Sequence, residues 1–222
     1  MKFLFDLGGV FFDWDPNHYF KYIFDTSDER NYFLTEVCND EWNIKQDAGR
    51  TIEEAESELI TKFPQYKREI KMYYKNHRNM MRGTFDLSIK VLKKLKKKNY
   101  KCYVLSNWSA ETFVGMTDDY PFLNLFDGLL ISGEEKLIKP EVAIYELAIS
   151  RFNLKPKDTV FIDDKLENIE AAEKQRKESE EKIKEYKPGI DLLTMSATPI
   201  PRNERLIQNK IPIVVRAAPE RL

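Results

Sequence analysis

Three short apolar runs in this sequence each end on polar residues of the kinds that active sites use: Asp6 after residues 2–5, Ser106 and Asn107 after residues 102–105, and Asp163 and Asp164 after residues 159–162. Runs of this length, bounded by glycine or polar residues, predict buried strands. The carboxyl ends of parallel strands meet at one edge of a sheet, where open α/β folds bind their ligands. We therefore expect these side chains to converge on one site.

The three carboxylates of that site predict a metal ion. Asp6, Asp163 and Asp164 would repel one another unless a cation neutralised them. A small set of oxygen ligands suits Mg²⁺, which keeps several waters and a substrate phosphate in its coordination shell. We therefore predict Mg²⁺ as the cofactor.

The other converging groups favour phosphoryl transfer. Ser106 and Asn107 offer a hydroxyl, an amide and backbone N–H groups that can cradle a phosphate. Lys139, just before Pro140, can bring a positive charge to the same oxygens. Asp6 would then attack phosphorus, and the resulting aspartyl-phosphate would later be hydrolysed.

Each of these residues also has an ordinary structural explanation. Asp6 could cap a turn, Ser106 could cap a helix, Lys139 could be a surface lysine, and residues 163–164 could belong to a loop. The combination of all of them at successive strand ends favours a site over four unrelated structural roles.

The elements that must position these groups alternate between strand and helix. Residues 87–98 and 141–152 have helical periodicity, and residues 129–132 form a further short apolar run. This alternation predicts an α/β fold, with a Rossmann-like parallel sheet flanked by helices.

The segment 17–82 has a different pattern, with helix signals and no clear strand signals. Thr26 and the Thr51–Glu54 capping box mark helix starts, Pro64 marks a stop, and residues 69–81 can form another helix. We therefore predict an all-helical insertion in the α/β fold.

Composition places the chain among globular proteins. Of its 222 residues 42% are hydrophobic, and its formal charge is −1, so no basic field favours nucleic acid or a membrane surface. The two cysteines are far apart, as is typical of thiols in a reducing compartment. Asp6 interrupts the first apolar run, so we expect no signal peptide and no membrane span, and a cytoplasmic protein.

Four segments, FDLGGV, LSNWS, IKP and FIDDKLEN, resemble in order and spacing the four motifs of the haloacid dehalogenase superfamily. Further segments, among them DWDP, QDAGR and NWSAETF, are similar to its subfamily of phosphatases with a helical cap, in the branch of glucose-1-phosphate phosphatase-like proteins. The resemblance covers about residues 1–175. It implies a core of residues 1–15 and 84–175 and a cap of residues 16–83 that closes over the site.

The resemblance also implies roles for individual residues. Asp6 would be the nucleophile and would act in catalysis together with Ser106 and Lys139. Ser106, Asn107 and Lys139 would bind the phosphate. Mg²⁺ would be bound by Asp6, the Gly8 carbonyl and Asp164 directly and by Asp163 through a water, and Asn168 would support the Asp163 loop. Trp42 and Arg50, near the Gly49 turn of the cap, are candidate substrate residues. The substrate would be a small phosphorylated metabolite, with sugar phosphates as candidates. The sequence contains no feature that determines the oligomeric state.

One departure concerns acid–base catalysis. Phosphatases of the superfamily usually carry a second aspartate two residues after the nucleophile, and here that position is Gly8. Loss of such a group typically costs about 10²–10⁴-fold in rate, and Asp13 or a cap residue is a candidate substitute. Two alternatives stay open: a 2-haloacid dehalogenase, whose family also lacks that aspartate, and an impaired module that binds phosphate without turnover.

The other departure concerns residues 176–222, which do not resemble the superfamily. A charged helical run is followed by residues 188–202, where DLLTMSATPIPR resembles a motif III segment of superfamily-two helicases. No GxxxxGK[ST] loop accompanies it, so we expect neither helicase activity nor nucleic-acid binding. Residues 190–195 could instead supply a last strand to the sheet.

Overall fold

The computed structural model describes residues 1–186, with side chains placed as far as residue 177. Its main sheet has four parallel strands in the order β5-β4-β1-β6, and a two-stranded antiparallel ribbon pairs β2 with β3. The strands are β1 (Lys2–Phe5), β2 (Phe12–Trp14), β3 (Met81–Thr84), β4 (Lys101–Ser106), β5 (Gly128–Ile131) and β6 (Thr159–Ile162). The predicted α/β fold with a parallel sheet is confirmed.

Helices cover the sheet and fill the segment between the two strands of the ribbon. They are α1 (Asn17–Phe20), α2 (Ser27–Tyr32), α3 (Asp40–Asp47), α4 (Ile52–Lys62), α5 (Lys67–Lys75), α6 (Asp86–Lys97), α7 (Ala110–Phe113), α8 (Met116–Asp119), α9 (Ser132–Glu135), α10 (Val142–Arg151) and α11 (Leu166–Tyr186). The helices predicted at 87–98 and 141–152 and the predicted strands agree with these bounds to within one residue.

Strand β1 lies in the middle of the main sheet because both of its faces are apolar. It pairs with β4 on one side and β6 on the other, with Lys2 opposite both Lys101 and Thr159. Phe3 and Phe5 join the hydrophobic cluster on one face of the sheet, whereas Leu4 joins the cluster on the other. This alternation, with a period of two, fixes the register and directs the end of β1 into the site.

The cap has its own aromatic core, built around Phe20, Phe33, Ile70 and Tyr73. Its helix starts agree with the sequence signals. The Thr26 hydroxyl accepts the Glu29 N–H at 3.2 Å, and the capping box at the start of α4 is formed in full.

The structure differs from the sequence prediction where the cap returns to the core. We predicted a helix over residues 69–81, but α5 ends at Lys75, where the Asn76 side chain donates to the Met72 carbonyl at 3.0 Å. Met81 then begins β3, which pairs with β2 across the whole of residues 15–80. Both ends of the cap therefore meet in one ribbon beside the sheet.

Helix α11 runs without interruption from Leu166 to Tyr186, beyond residue 175, where the resemblance to the superfamily ends. The strand predicted at 190–195 and the helicase-like segment 188–202 lie outside the described residues. Within residues 1–186, no helix combines the length and the hydropathy that a membrane span requires.

Candidate active site

The turn after β1 places the Asp6 carboxylate at the edge of the sheet. The Asp6 N–H donates to the Ile162 carbonyl at 2.8 Å, which extends the β1–β6 ladder to Asp6. Gly9 has φ of +64°, and a Cβ on it would lie 2.2 Å from Oδ2 of Asp164. Glycine is required there both for the left-handed backbone and for the approach of that carboxylate.

A buried ammonium joins two of the carboxylates. Lys139 Nζ lies 3.0 Å from Asp6 Oδ1 and 2.6 Å from Asp163 Oδ2. The Ser106 hydroxyl donates to Asp6 Oδ1 at 2.7 Å. All four side chains are buried, so the structure brings together groups from the ends of three strands and from the loop before Pro140.

Asn107 holds that loop in place. Its amide nitrogen donates to the Lys139 carbonyl at 2.9 Å, and its amide oxygen accepts the Lys139 N–H at 2.8 Å. Burial alone would lower the pKa of the Lys139 ammonium, but Asp6 and Asp163 outweigh that effect and raise it. Lys139 is therefore a permanent positive charge at the site.

The Asp163 carboxylate is fully engaged by the protein. Besides Lys139, it accepts the Asn168 side-chain N–H at 2.9 and 3.0 Å and the Lys165 backbone N–H at 2.9 Å. These contacts fix the loop after β6 and leave the neighbouring Asp164 carboxylate partly exposed.

The donor set of the acidic cluster, Asp6, Asp163 and Asp164, fits a divalent cation. One oxygen from each carboxylate lies within 4.8 Å of the others. Burial, offset in part by Lys139 and reinforced by Asp163, raises the pKa of Asp6 to about 6, and burial and Asp163 raise the pKa of Asp164. Raised pKa values mean that one ammonium does not fully compensate the three negative charges. Hard oxygen ligands of this number match Mg²⁺.

The Gly8 carbonyl, predicted as a further metal ligand, accepts the Val10 N–H at 2.7 Å. A carbonyl oxygen has a second lone pair, which this bond leaves available to a cation.

A cavity lies between the cap and the core beside this cluster. The residues that line it come from both parts of the chain and are mainly aromatic or polar: Gly8, Trp14, Asn43, Asp47, Tyr74, His77, Asn107, Trp108, Ser109 and Thr112. The His77 ring lies between Trp14 and Trp108, with ring centroids 5.8 and 5.6 Å apart and with tilted ring planes. Each of these three side chains has a buried ring nitrogen without a hydrogen-bond partner among the described residues.

Asp47, which the sequence analysis did not single out, is the carboxylate that the cap contributes to this cavity. It is the last residue of α3 and lies four residues after Asn43, so both residues share one helix face. Burial raises the pKa of Asp47 to about 7, while Lys165, Lys139 and the backbone amide of Ser109 act in the opposite direction. The i, i+4 spacing of Asn43 and Asp47 is the signal that could have identified this face.

Trp42 and Arg50, the predicted substrate residues, lie elsewhere in the cap and are not among the residues that line the cavity. Trp42 is buried against Tyr73 and donates its indole N–H to the Ala55 carbonyl at 3.2 Å. Arg50 donates to the Trp42 carbonyl at 2.8 Å and pairs with Glu58. Trp42 lies on α3, on a face other than that of Asn43 and Asp47, and Arg50 lies beyond the end of that helix.

The cap is closed onto the core by contacts on either side of the cavity. The Ile52 N–H at the start of α4 donates to Glu111 of the core at 2.7 Å. Arg78 donates to the Val114 carbonyl at 2.6 Å. At Gly49 an added Cβ would lie 2.7 Å from Cγ of Lys136, so the turn after Asp47 lies directly against the core.

This fold, with carboxylates at the ends of the first and last strands, places the protein in a known class. Residues 4–178 match the family of haloacid dehalogenase-like hydrolases. The chain belongs to that family, which confirms the resemblance drawn from its motifs, and it is a hydrolase by class.

Two fungal proteins are similar in sequence. The sesquiterpene phosphatase AstK of Aspergillus oryzae is 26% identical over 170 residues, which cover 77% of this chain and 83% of that protein. The drimenol cyclase DrtB of Aspergillus calidoustus is 25% identical over 172 residues, covering 75% of this chain but only 31% of that protein.

Solved structures share the fold. The family enzyme BT-2542 of Bacteroides thetaiotaomicron, crystallised with magnesium and inorganic phosphate, is 23% identical, with a TM-score of 0.61 over 79% of this chain and 90% of that one. The L-2-haloacid dehalogenase of Xanthobacter autotrophicus is 13% identical, with a TM-score of 0.54 over 78% of this chain and 74% of that one. At these identities the likeness concerns the fold alone.

Proposed function

We propose that this protein is a Mg²⁺-dependent phosphatase that hydrolyses small phosphorylated metabolites through an aspartyl-phosphate on Asp6. The observation that carries the proposal is the cluster of Asp6, Asp163 and Asp164, whose oxygens lie within 4.8 Å of one another beside the Lys139 ammonium. An anionic ester can approach such a nucleophile only where cations offset the carboxylates.

The residues of the site would have three separate roles: nucleophilic attack, phosphate binding and metal binding. Asp6 attacks phosphorus, while Lys139, the Ser106 hydroxyl and the Asn107 amide hold the phosphoryl oxygens. The Gly8 carbonyl and Asp164, together with Asp6, would hold the metal, with Asp163 reaching it through a water.

Mg²⁺, when bound, supplies neutralising charge to the phosphoryl oxygens. The protein itself would fix the position of the Asp6 carboxylate for attack. The 2.7 Å hydrogen bond from Ser106 and the 3.0 Å contact with Lys139 both fix Oδ1 of Asp6.

The similar proteins support this choice of reaction. AstK, which is aligned over most of its length, is named a phosphatase, and BT-2542 was crystallised with magnesium and phosphate.

The cavity beside the cluster would receive the alcohol part of the ester. Sugar phosphates are our leading candidates because the cavity combines aromatic rings with the polar side chains of Asn43, Asn107 and Thr112, which can hydrogen-bond to sugar hydroxyl groups. A terpenyl phosphate, suggested by AstK, would contact the same rings but leave those polar side chains without a partner on the substrate.

A dehalogenase of the same fold is disfavoured by the site. Asp163 and Asp164 add two carboxylates beside the nucleophile, and these would repel an anionic 2-haloacid. That reaction would also need no divalent cation, so the two activities respond oppositely to a chelator.

The first test is hydrolysis of p-nitrophenyl phosphate with Mg²⁺ and with excess EDTA. We expect nitrophenol release that depends on Mg²⁺ and returns when the metal is restored. Halide release from 2-chloropropionate in EDTA would replace the proposal with a dehalogenase. Absence of both activities in folded protein, with phosphate binding retained, would indicate a binding module.

A further inference from the structure

We propose that Asp47 of the cap is the general acid that protonates the leaving group and the general base that later activates water. The inference rests on the proposed function, because it assigns to that reaction a proton donor that the turn after Asp6 does not provide: Gly8, two residues after the nucleophile, has no side chain.

The position of Asp47 suits this role. Phosphoryl transfer keeps the attacking and leaving oxygens roughly in line, so the leaving oxygen points away from Asp6. A proton donor for it must reach the side of phosphorus that faces away from Asp6, and a side chain of the cap is placed to do so. Asp47 lies on the cap wall of that cavity, while Gly8 and Asn107 lie on the core wall.

The other titratable groups that line the cavity are less suited to this proton transfer. Among the described residues they are Tyr74 and His77. The Tyr74 hydroxyl already donates to Gln46 Oε1, 2.6 Å away, and burial raises its pKa strongly. Burial and Arg78 lower the pKa of His77 to about 4, so near neutral pH it holds no proton beyond that of the neutral ring. Asp13, the core candidate from the sequence, pairs with His18 at 3.2 Å and does not line the cavity.

The surroundings of Asp47 let it carry a proton near neutral pH and lose it again. It lies at the carboxyl end of α3, where the helix dipole opposes a negative charge. The charged groups that act on it are Lys165, Asp6 and Lys139, and the backbone amide of Ser109 stabilises the ionised form. Their net result with burial, a pKa near neutrality, is the condition under which one group serves as both acid and base.

The steps balance. An Asp6 oxygen attacks phosphorus, the bond between phosphorus and the ester oxygen breaks, and that oxygen takes the proton of the Asp47 carboxyl to leave as an alcohol. A water then attacks the aspartyl-phosphate and gives its proton to the Asp47 carboxylate. The bond between phosphorus and Asp6 breaks, which restores the Asp6 carboxylate and releases phosphate.

The test compares esters that do and do not need a proton on the leaving group. Dinitrophenolate leaves unprotonated, whereas phenoxide and alkoxides require a proton. We expect Asp47→Asn to lower kcat/KM for phenyl phosphate by about 10²–10³-fold and to change it little for dinitrophenyl phosphate. With the latter ester kcat should fall, because the hydrolysis step is common to all substrates. A burst of dinitrophenol should therefore precede slow turnover.

The matched control is Glu41→Gln, which removes the same charge from an exposed position on the same helix and should leave both esters unaffected. Equal loss of kcat/KM for both esters, or no loss for phenyl phosphate, in a folded Asp47→Asn protein would overturn the assignment while leaving the phosphatase in place. A wild-type protein that cleaves neither ester with Mg²⁺ would refute the proposed function, and this assignment with it.

Discussion

The two walls of the cavity treat carboxylates in opposite ways. Beneath the core wall, Asp163 accepts hydrogen bonds from Lys139, Asn168 and the Lys165 backbone, and it is fully buried. On the cap wall Asp47 has the backbone amide of Ser109 as its hydrogen-bond donor, and burial raises its pKa to about 7. Asp163 shares a buried ammonium with Asp6, whereas Asp47 forms no ion pair with another of the described residues.

This difference follows from what each wall has to do. A phosphoryl group needs fixed positive charge and a fixed nucleophile through both steps, and paired buried groups provide that. Proton transfer instead needs a group with two protonation states of similar free energy, which a strong ion pair would prevent. Separating the two tasks between core and cap also lets cap closure complete the site.

The largest expected effect comes from removing the nucleophile on the core wall. Asp6→Asn keeps the shape of the side chain and the hydrogen bond from Ser106 but cannot form the acyl-phosphate. We expect turnover of p-nitrophenyl phosphate to fall by at least about 10⁴-fold, with circular dichroism unchanged. Full activity in this variant would exclude the mechanism.

The next effect concerns the fixed charge. Lys139→Met leaves Asp6 and Asp163 without their buried ammonium, and losing one partner of a buried ion pair costs about 3–5 kcal/mol. In EDTA we expect the thermal midpoint to fall by roughly 10 °C or more, at about 2–4 °C per kcal/mol. Lys165→Met removes the same charge from an exposed neighbour and should shift the midpoint by less than about 2 °C. Equal shifts would contradict the distinction between the walls.

A rescue experiment asks whether the acid can be moved from the cap to the core. A Cβ at Gly8 meets no atom within 4 Å, and its backbone is not in the left-handed region, so an aspartate fits there. Adding Gly8→Asp to Asp47→Asn should recover about 10-fold or more of kcat/KM for phenyl phosphate. Adding Gly8→Asp to Glu41→Gln should not raise kcat/KM for phenyl phosphate, because Glu41→Gln alone is expected to leave that value unchanged. No recovery would show that Asp47 contributes more than its proton.

The smallest effect is a pH dependence. A general acid must be protonated, so kcat/KM for phenyl phosphate should fall about tenfold per pH unit above the pKa of Asp47, about 7. Dinitrophenyl phosphate should show no such decline, and Asp47→Asn should abolish the decline for phenyl phosphate. A decline that persists in Asp47→Asn would assign it to another group.

The sequence predicted the core wall well because that wall is built from strand ends. Asp6, Ser106 and Asp163 each follow an apolar run whose length and composition predict a buried strand, and parallel pairing then brings the three residues to one edge. Lys139 was predicted from its place before Pro140, and its buried position between two carboxylates is what the structure adds.

The cap wall could not be predicted in the same way. Asp47 acquires its surroundings from Ser109 and Lys165, which are distant in sequence, so its local i, i+4 spacing with Asn43 indicates a shared helix face but not what that face meets. Trp42 was chosen because it lies near the Gly49 turn, but on α3 it lies on the face that packs into the cap. The ribbon of β2 and β3 was missed because its strands are three and four residues long and their pairing is non-local.

The central place of β1 in the main sheet has a consequence for how the chain acquires its fold. Lys2 pairs with Lys101 and with Thr159, so β1 needs partners that are synthesised much later than itself. Pairings of such long sequence separation are slow, because loop closure must precede them. The cap helices make mostly nearer contacts and can pack before β1 finds its neighbours. Asp6, which directly follows β1, therefore reaches its final position only after the partners of β1 have been made.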